Sequence, residues 1–145
     1  MCIRDRDVIF LLMHKRLPDS DESAEFRKEL AYRGERMPAG ALRVLEHLTP
    51  GSGHPMDWLS IGIMAMGAAE TTGDVRVDSM NLIARMPELM ARIFLLRGGN
   101  PEKLRPRNTE LGLVENFVHM LGVDADEAER MNSCLLYTSP SPRDS

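Results

Sequence analysis

Two places in the chain combine residue types that could perform acid–base or metal chemistry. His54 stands directly before Pro55, and Glu115 lies four residues before His119. His54 could bind a metal or act in an active site, but no second ligand follows at a spacing typical of metal sites, so we favour a structural role at a helix start. Glu115 and His119 share one helix face and could act as acid and base, although a simple packing pair is the commoner role of this spacing.

A basic cluster follows the pair Gly98-Gly99 and could bind phosphate groups. It consists of Arg97, Lys103, Arg105 and Arg107. Guanidinium groups bind phosphate oxygens through paired, charge-assisted hydrogen bonds, so Arg105 and Arg107 are our candidates for contact with the phosphates of a coenzyme. The alternative is a charged loop that is solvated and has no ligand, which is the usual role of such loops.

Other common site signatures are missing from the sequence. Gly51-Ser52-Gly53 is too short for a phosphate loop, and we find no nucleophile elbow, P-loop or dinucleotide fingerprint. Both cysteines, Cys2 and Cys134, lie near the ends, which favours neither a disulfide framework nor a thiolate metal site. We therefore assign no catalytic residue, no metal ligand and no bound cofactor to this chain, and His14 and His47 are expected to be solvated.

The net charge and the hydropathy of the chain limit the classes of partner that it could have. The formal net charge of −4 gives no electrostatic footprint for nucleic acid or for an anionic membrane. No apolar run approaches the roughly 20 residues that a membrane-spanning helix needs. The methionines mostly follow apolar faces, where they fill a core or form an adaptable interface.

The elements that must position these residues are helices. Apolar residues recur with 3.6-residue spacing and strand-like alternation is nearly absent, which predicts an all-α fold. We expect helices at about residues 7–15, from 19, at 38–48, 55–70, 77–97 and 110–121, and from 124. Capping boxes are predicted at Asp19 and Asp124, and Thr109 is the predicted N-cap of the sixth helix.

The apolar faces give the expected core. On the first helix we expect an apolar side at Val8, Leu11 and Leu12, with Ile9, Phe10 and Met13 beside it. On the second helix Phe26, Leu30 and Tyr32 are expected to face inward, and the fifth helix carries Met80, Ile83, Met90, Ile93 and Phe94 at helical spacing. Pro87 lies inside the fifth helix and should kink or divide it. Gly122 is placed to end the sixth helix in the left-handed conformation.

The fourth helix is apolar around its whole circumference. Between Asp57 and Glu70 it has no charged residue. A helix of this kind in a water-soluble protein must be buried on all sides. In a segment this short, we expect one of its neighbours to be a second subunit.

The two ends of the chain differ in origin from the middle. Residues 1–6 and 134–138 can be back-translated into DNA stretches that are reverse complements and that resemble the mosaic end of transposase-based sequencing libraries. We therefore expect residues 1–6 and 133–145 to be adapter-derived flanks, the second of them disordered, around a genuine segment at 7–132. A natural tail rich in serine and proline would explain only the C-terminal flank.

Three short strings in a fixed order give the sequence a family resemblance. They are His54-Pro55-Met56-Asp57, Leu82-Ile83-Ala84-Arg85-Met86-Pro87 and Glu115-Asn116-Phe117-Val118-His119-Met120-Leu121-Gly122. Together they resemble the large helical domain of citrate synthases, over nearly all of residues 7–132. Leu11-Leu12 through Leu17-Pro18 looks like a further motif of the same family.

The resemblance implies a function for a longer parent protein. Citrate synthases condense acetyl-CoA with oxaloacetate to give citrate and CoA by acid–base chemistry without a metal. The implied histidine motif, catalytic aspartate and substrate-binding arginines would follow Met131-Asn132, so this piece is expected to be inactive alone. The family also implies a homodimer through helices near Pro55–Glu70 and Val77–Arg97, in the bacterial cytoplasm or, in a eukaryote, the mitochondrial matrix.

Two alternatives stay open at this point. A 2-methylcitrate synthase would use propionyl-CoA as the acyl donor, and its distinguishing residues would lie mainly outside this chain. A small helical interaction module that is complete as it stands would need no parent enzyme.

Overall fold

The structure is a computed structural model that describes residues 5–136, and helices form most of that range. The helices are α1 (Asp5–His14), α2 (Ser20–Gly34), α3 (Ala39–Glu46), α4 (Pro55–Ala69), α5 (Val75–Arg97), a 3₁₀ turn (Pro101–Lys103), α6 (Leu113–Met120) and α7 (Ala125–Leu136). No strand occurs in the described part, which confirms the predicted all-α class. Helix α1 begins two residues before the expected genuine segment, and α7 includes residues 133–136 of the expected C-terminal flank; the remainder of both flanks lies outside the described residues.

Local sequence fixes where several helices begin and end. The Asp19 carboxylate accepts the Glu22 N–H at 2.9 Å, and the Glu22 carboxylate accepts the Asp19 N–H at 3.1 Å, which is the predicted capping box of α2. Asp124 accepts the Glu127 N–H at 2.8 Å before α7. Gly122 has φ of 73°, the left-handed conformation predicted after α6.

Helix α5 is the central element of the fold, because α2, α3, α4 and α6 all pack against it. It continues as one helix through Pro87, so the proline does not divide it as the sequence allowed. Buried Ala84 and Leu89 on either side of Pro87 fix both halves against neighbouring helices. This packing offsets the loss of the hydrogen bond that a proline N–H would have made.

Two apolar clusters form the core. The larger joins α3, α4 and α5 through Met37, Ala41, Leu45, Trp58, Met66, Leu89 and Ile93. The smaller joins α1, α2 and α5 through Phe10, Phe26, Leu30, Met80 and Ala84. Because α5 contributes residues to both clusters, it connects the two parts of the core.

The predicted inward faces of α1 and α2 are partly wrong. Leu12 is 75% exposed, and Phe10 is buried in its place because its ring packs edge-on against Phe26, with 5.3 Å between the ring centroids. Tyr32 is also 75% exposed. The buried side of α2 follows Phe26, Leu30 and Gly34 at four-residue intervals, which turns Tyr32 towards solvent.

Close approach of α4 to α5 depends on Gly62. A Cβ atom at this position would lie 2.7 Å from Cδ1 of Leu89, which is fully buried. Met64, two residues further along α4, is 74% exposed, and Met56 is 57% exposed. Helix α4 is therefore covered on one side within a single chain, and its other side remains apolar and open.

Helix α6 begins three residues later than the sequence predicted, and Thr109 does not cap it. The reason is a side-chain clamp between two asparagines. The Asn116 amide donates to the Asn108 carbonyl at 2.6 Å, and its oxygen accepts the Asn108 N–H at 3.0 Å. These bonds hold residues 108–112 in a turn, and Glu115 then accepts the Gly112 N–H at 2.7 Å at the true helix start.

The first prediction concerns the contact between α4 and α5. Gly62→Ala should lower the free energy of unfolding by about 1–3 kcal/mol, because the added methyl group must displace the buried Leu89 side chain. Gly67→Ala in the same helix is the control, since a Cβ there has no atom within 4 Å, and it should be neutral or stabilising by up to about 1 kcal/mol. Urea unfolding followed by the fluorescence of Trp58, the single tryptophan, measures both. Equal losses in the two variants would contradict the packing argument.

The second prediction concerns the asparagine clamp. Asn116→Asp should destabilise the fold by about 3 kcal/mol at neutral pH, because a buried carboxylate would face carbonyl oxygens that now accept the amide protons. Burial raises the pKa of the new carboxyl above its value in the unfolded chain, so the loss should be smallest at acid pH and grow as pH rises. Asn100→Asp, at an exposed amide-to-carbonyl bond, is the control and should cost less than about 1 kcal/mol. A pH-independent loss equal in both variants would refute the clamp.

Candidate functional site

His54 acts as the N-cap of α4. Its Nδ1 accepts the Met56 N–H at 3.2 Å, and the Asp57 carboxylate accepts the His54 N–H at 3.0 Å. Pro55 occupies the first turn, where a missing N–H costs nothing. The structural role favoured from the sequence is the one observed, and it leaves the His54 ring exposed at the helix start.

The other histidines are dispersed over the fold. The His14 ring stacks on Phe10 with 4.2 Å between centroids, and Nδ1 of His47 lies 2.7 Å from the Arg43 carbonyl oxygen. His119 is half-buried on α6, while Glu115 is engaged with the Gly112 N–H at the start of that helix. The described histidines therefore do not converge on one place. No group of three or more potential metal ligands occurs among the residues that the structure describes.

The basic cluster predicted from the sequence separates into three locations. Arg97 points back to the entry of α4, where its guanidinium donates to the Ser52 carbonyl at 2.5 Å and lies over the Trp58 ring at 5.5 Å. Trp58 donates its indole N–H to the same carbonyl at 2.8 Å. Arg97 thus fixes the loop before α4, a role that its position beside Gly98-Gly99 did not indicate.

Arg105 lies on the surface of the loop between α5 and α6. Its backbone N–H donates to the Met120 carbonyl at 3.1 Å, and its guanidinium donates to the Gly122 carbonyl at 3.1 Å. The remaining donors face solvent, since Arg105 is exposed. Contact between Arg105 and a coenzyme phosphate stays a prediction.

Arg107, the second candidate for phosphate contact, directs its guanidinium into the protein. Nη1 donates to the Ala84 carbonyl at 2.8 Å and to the Gly34 carbonyl at 3.2 Å. Burial lowers the pKa of Arg107, while the Glu88 and Glu35 carboxylates act in the opposite direction. Its Nε is buried without a hydrogen-bond partner in the described structure. In this arrangement, Nη1 serves the fold, and a phosphate role for Arg107 stays an untested prediction.

The larger cavities are shallow and mostly apolar. One of about 300 Å³ lies between α3, α5 and the 3₁₀ turn and is lined by leucines, with Glu46 and Arg92 among its lining residues. Another of about 290 Å³ lies between the end of α4 and the start of α5, where Arg85 pairs with Glu70 at 2.9 Å. Neither is lined by a histidine. Within the described range, no helix has the length and apolar character to cross a bilayer.

Comparison with known proteins shows which family shares this sequence and this helical arrangement. The family model described as "Citrate synthase, C-terminal domain" matches residues 5–139. Mitochondrial citrate synthase 3 of Saccharomyces cerevisiae is 32% identical over 92% of this chain and 30% of its own length. The citrate/2-methylcitrate synthase of Bacillus subtilis is 31% identical over 79% of this chain and 32% of its own length.

A solved structure agrees with the sequence matches. The crystal structure of citrate synthase from Thermotoga maritima aligns with a TM-score of 0.69 and 25% sequence identity, over 90% of this chain and 34% of that one. The chain thus spans about 30% of the length of the curated relatives described above. On the family match, the shared helical arrangement and the ordered motifs at residues 54–57, 82–87 and 115–122, this chain belongs to the citrate synthase family.

Proposed function

We propose that this chain is part of a citrate synthase that condenses acetyl-CoA with oxaloacetate and water to give citrate and CoA. The observation that carries the proposal is the family match over residues 5–139. The reaction requires a carboxylate that removes a proton from the acetyl methyl group and groups that stabilise the enol and polarise the ketone. Acetyl-CoA is then a substrate, and the chain itself holds no resident cofactor or metal.

We further propose that this chain does not catalyse the reaction alone. The geometry supports this, because the described histidines lie in separate places, on α1, after α3, before α4 and on α6. Three of them take part in ring stacking, a backbone contact and a helix cap, namely His14, His47 and His54. Proton abstraction and ketone polarisation need groups that converge on one substrate within hydrogen-bond reach. The family resemblance assigns those groups to sequence beyond Met131-Asn132.

The acyl donor has one specific alternative. A relative from Bacillus subtilis carries the name citrate/2-methylcitrate synthase and is as similar to this chain as relatives named only citrate synthase. A parent that uses propionyl-CoA to form 2-methylcitrate is therefore the second candidate. Acceptance of the donor would be decided by residues that contact its acyl group.

The proposed partner is a second copy of the same protein. The support comes from α4, where Met56 and Met64 are exposed on a helix with no charged side chain between Asp57 and Glu70. Phe94 on α5 is 54% exposed. Apolar patches of this kind mark association surfaces. For a bacterial parent we propose a cytoplasmic location, and for a eukaryotic parent the mitochondrial matrix.

The third prediction tests the reaction and the inactivity of the chain together. CoA thiol release is measured with oxaloacetate and either acetyl-CoA or propionyl-CoA, for the purified chain and for the protein encoded by the uninterrupted parent gene. The chain should show no release above the rate without enzyme, and the parent should prefer acetyl-CoA. Robust turnover by the chain alone would contradict its proposed inactivity.

The same assay on the parent protein distinguishes the two proposed acyl donors. A preference for propionyl-CoA would replace the first candidate by the 2-methylcitrate synthase. Release with neither donor by a folded parent would refute both enzyme proposals and would favour a helical interaction module.

A further inference from the structure

A loop with little regular structure connects α5 to α6 and is held against the end of α6 near the loop's middle. We call residues 98–112 the strap. Near its middle, Arg105 donates from its backbone to Met120 and from its side chain to Gly122, both at 3.1 Å. A Cβ atom on Gly122 would lie 2.6 Å from the Lys103 carbonyl oxygen, so strap backbone and the end of α6 are in close contact. The strap and α6 therefore form one structural unit.

Arg107 connects this unit to two other helices. Its Nη1 bridges the last residue of α2, through the Gly34 carbonyl, and the middle of α5, through the Ala84 carbonyl. Both acceptors are backbone carbonyl oxygens, one at a helix end and one inside a helix. Gly34 ends α2, where terminal carbonyls lack helical partners and the helix dipole favours a cation. Ala84 lies on the buried side of α5, in the turn before Pro87, and its carbonyl oxygen is the nearer of the two acceptors at 2.8 Å.

The space for the guanidinium exists because residue 34 is a glycine. A Cβ atom there would lie 2.3 Å from Nη1 of Arg107 and 2.7 Å from the Ala84 carbonyl oxygen. The second of these contacts is to backbone and cannot be relieved by a side-chain rotation. Gly34, Ala84 and Arg107 thus form a three-element junction whose geometry excludes any side chain on α2 at this point.

The junction leaves one hydrogen-bond donor of Arg107 without a partner in the described structure. Nε of Arg107 has no hydrogen-bond partner in the described structure, and the Glu88 carboxylate nearby is engaged by Arg92 at 2.7 Å. A half-buried cation held by two neutral carbonyl groups retains part of its desolvation cost. Such a contact holds a segment in place, yet it can break without unfolding of the larger apolar cluster, which contains neither Arg107 nor Ala84.

We propose that Arg107 is a latch that holds the strap and α6, residues 98–122, on α2 and α5, and that this unit opens locally when the latch is released. The larger apolar cluster of α3, α4 and α5 does not contain Arg107 or any strap residue, so it should persist during this opening. The inference concerns the chain's own fold, and it stands whether or not the proposed reaction is correct.

The fourth prediction tests the latch by native-state hydrogen exchange, resolved to segments by mass spectrometry, on the full chain. Arg107→Met removes the donors while keeping an unbranched apolar stem. It should reduce the protection of amides in residues 105–122 by roughly tenfold or more, with less than about a twofold change in residues 39–66. Arg105→Met is the matched control, since Arg105 lies in the same strap but its guanidinium donates to the Gly122 carbonyl just after α6, and it should change neither segment by more than about threefold.

A second variant keeps the test decisive if Arg107→Met does not fold. Arg107→Lys retains a charge and donors, but its single nitrogen cannot reproduce the planar guanidinium, so it should give the same localised loss at smaller amplitude. A loss of protection that is equal in both segments, in whichever variant folds, would overturn the latch and leave Arg107 as a general stabilising residue. Unchanged protection of residues 105–122 would also overturn it.

Discussion

Helix α4 carries more apolar surface than one chain covers, and the remainder of the structure is arranged around that constraint. On the inner side of α4, Gly62 lets the helix approach α5 so closely that the Leu89 side chain occupies the space that a side chain at position 62 would need. Trp58 and Met66 complete this buried side. On its outer side, Met64 is left in solvent. An exposed apolar surface of this kind is typical of an association surface.

The other elements serve to hold α5 and α4 in this pairing. The loop before α4 is fixed from the far end of α5, because Arg97 and Trp58 share the Ser52 carbonyl as acceptor. At the middle of α5, Arg107 joins the strap to the helix turn that precedes Pro87. Arginines that the sequence suggested for ligand binding thus lie at the places where loops meet helices. Their guanidinium groups donate to backbone carbonyl oxygens and so tie each loop to the element it meets.

Most of the fold follows from short-range signals in the sequence. The class, the cap at Asp19, the role of His54 and the left-handed Gly122 depend on neighbours a few residues away, and such signals can be read without tertiary knowledge. The late start of α6 could not be read in this way, because Asn116 clamps residues 108–112 from within the helix. The path of Arg107 to Gly34 joins residues 73 positions apart, and no local pattern encodes such a contact.

The open side of α4 is, in our proposal, an association surface for a second copy of the protein. Sedimentation velocity over a range of concentrations tests it, with Met64→Lys compared with Tyr32→Lys, which alters a side chain of equal exposure on α2. We predict that the chain and Tyr32→Lys self-associate as concentration rises, while Met64→Lys remains a monomer because a charge on that surface opposes its burial. A chain that is monomeric at every concentration, or association that Met64→Lys leaves unchanged, would contradict the account.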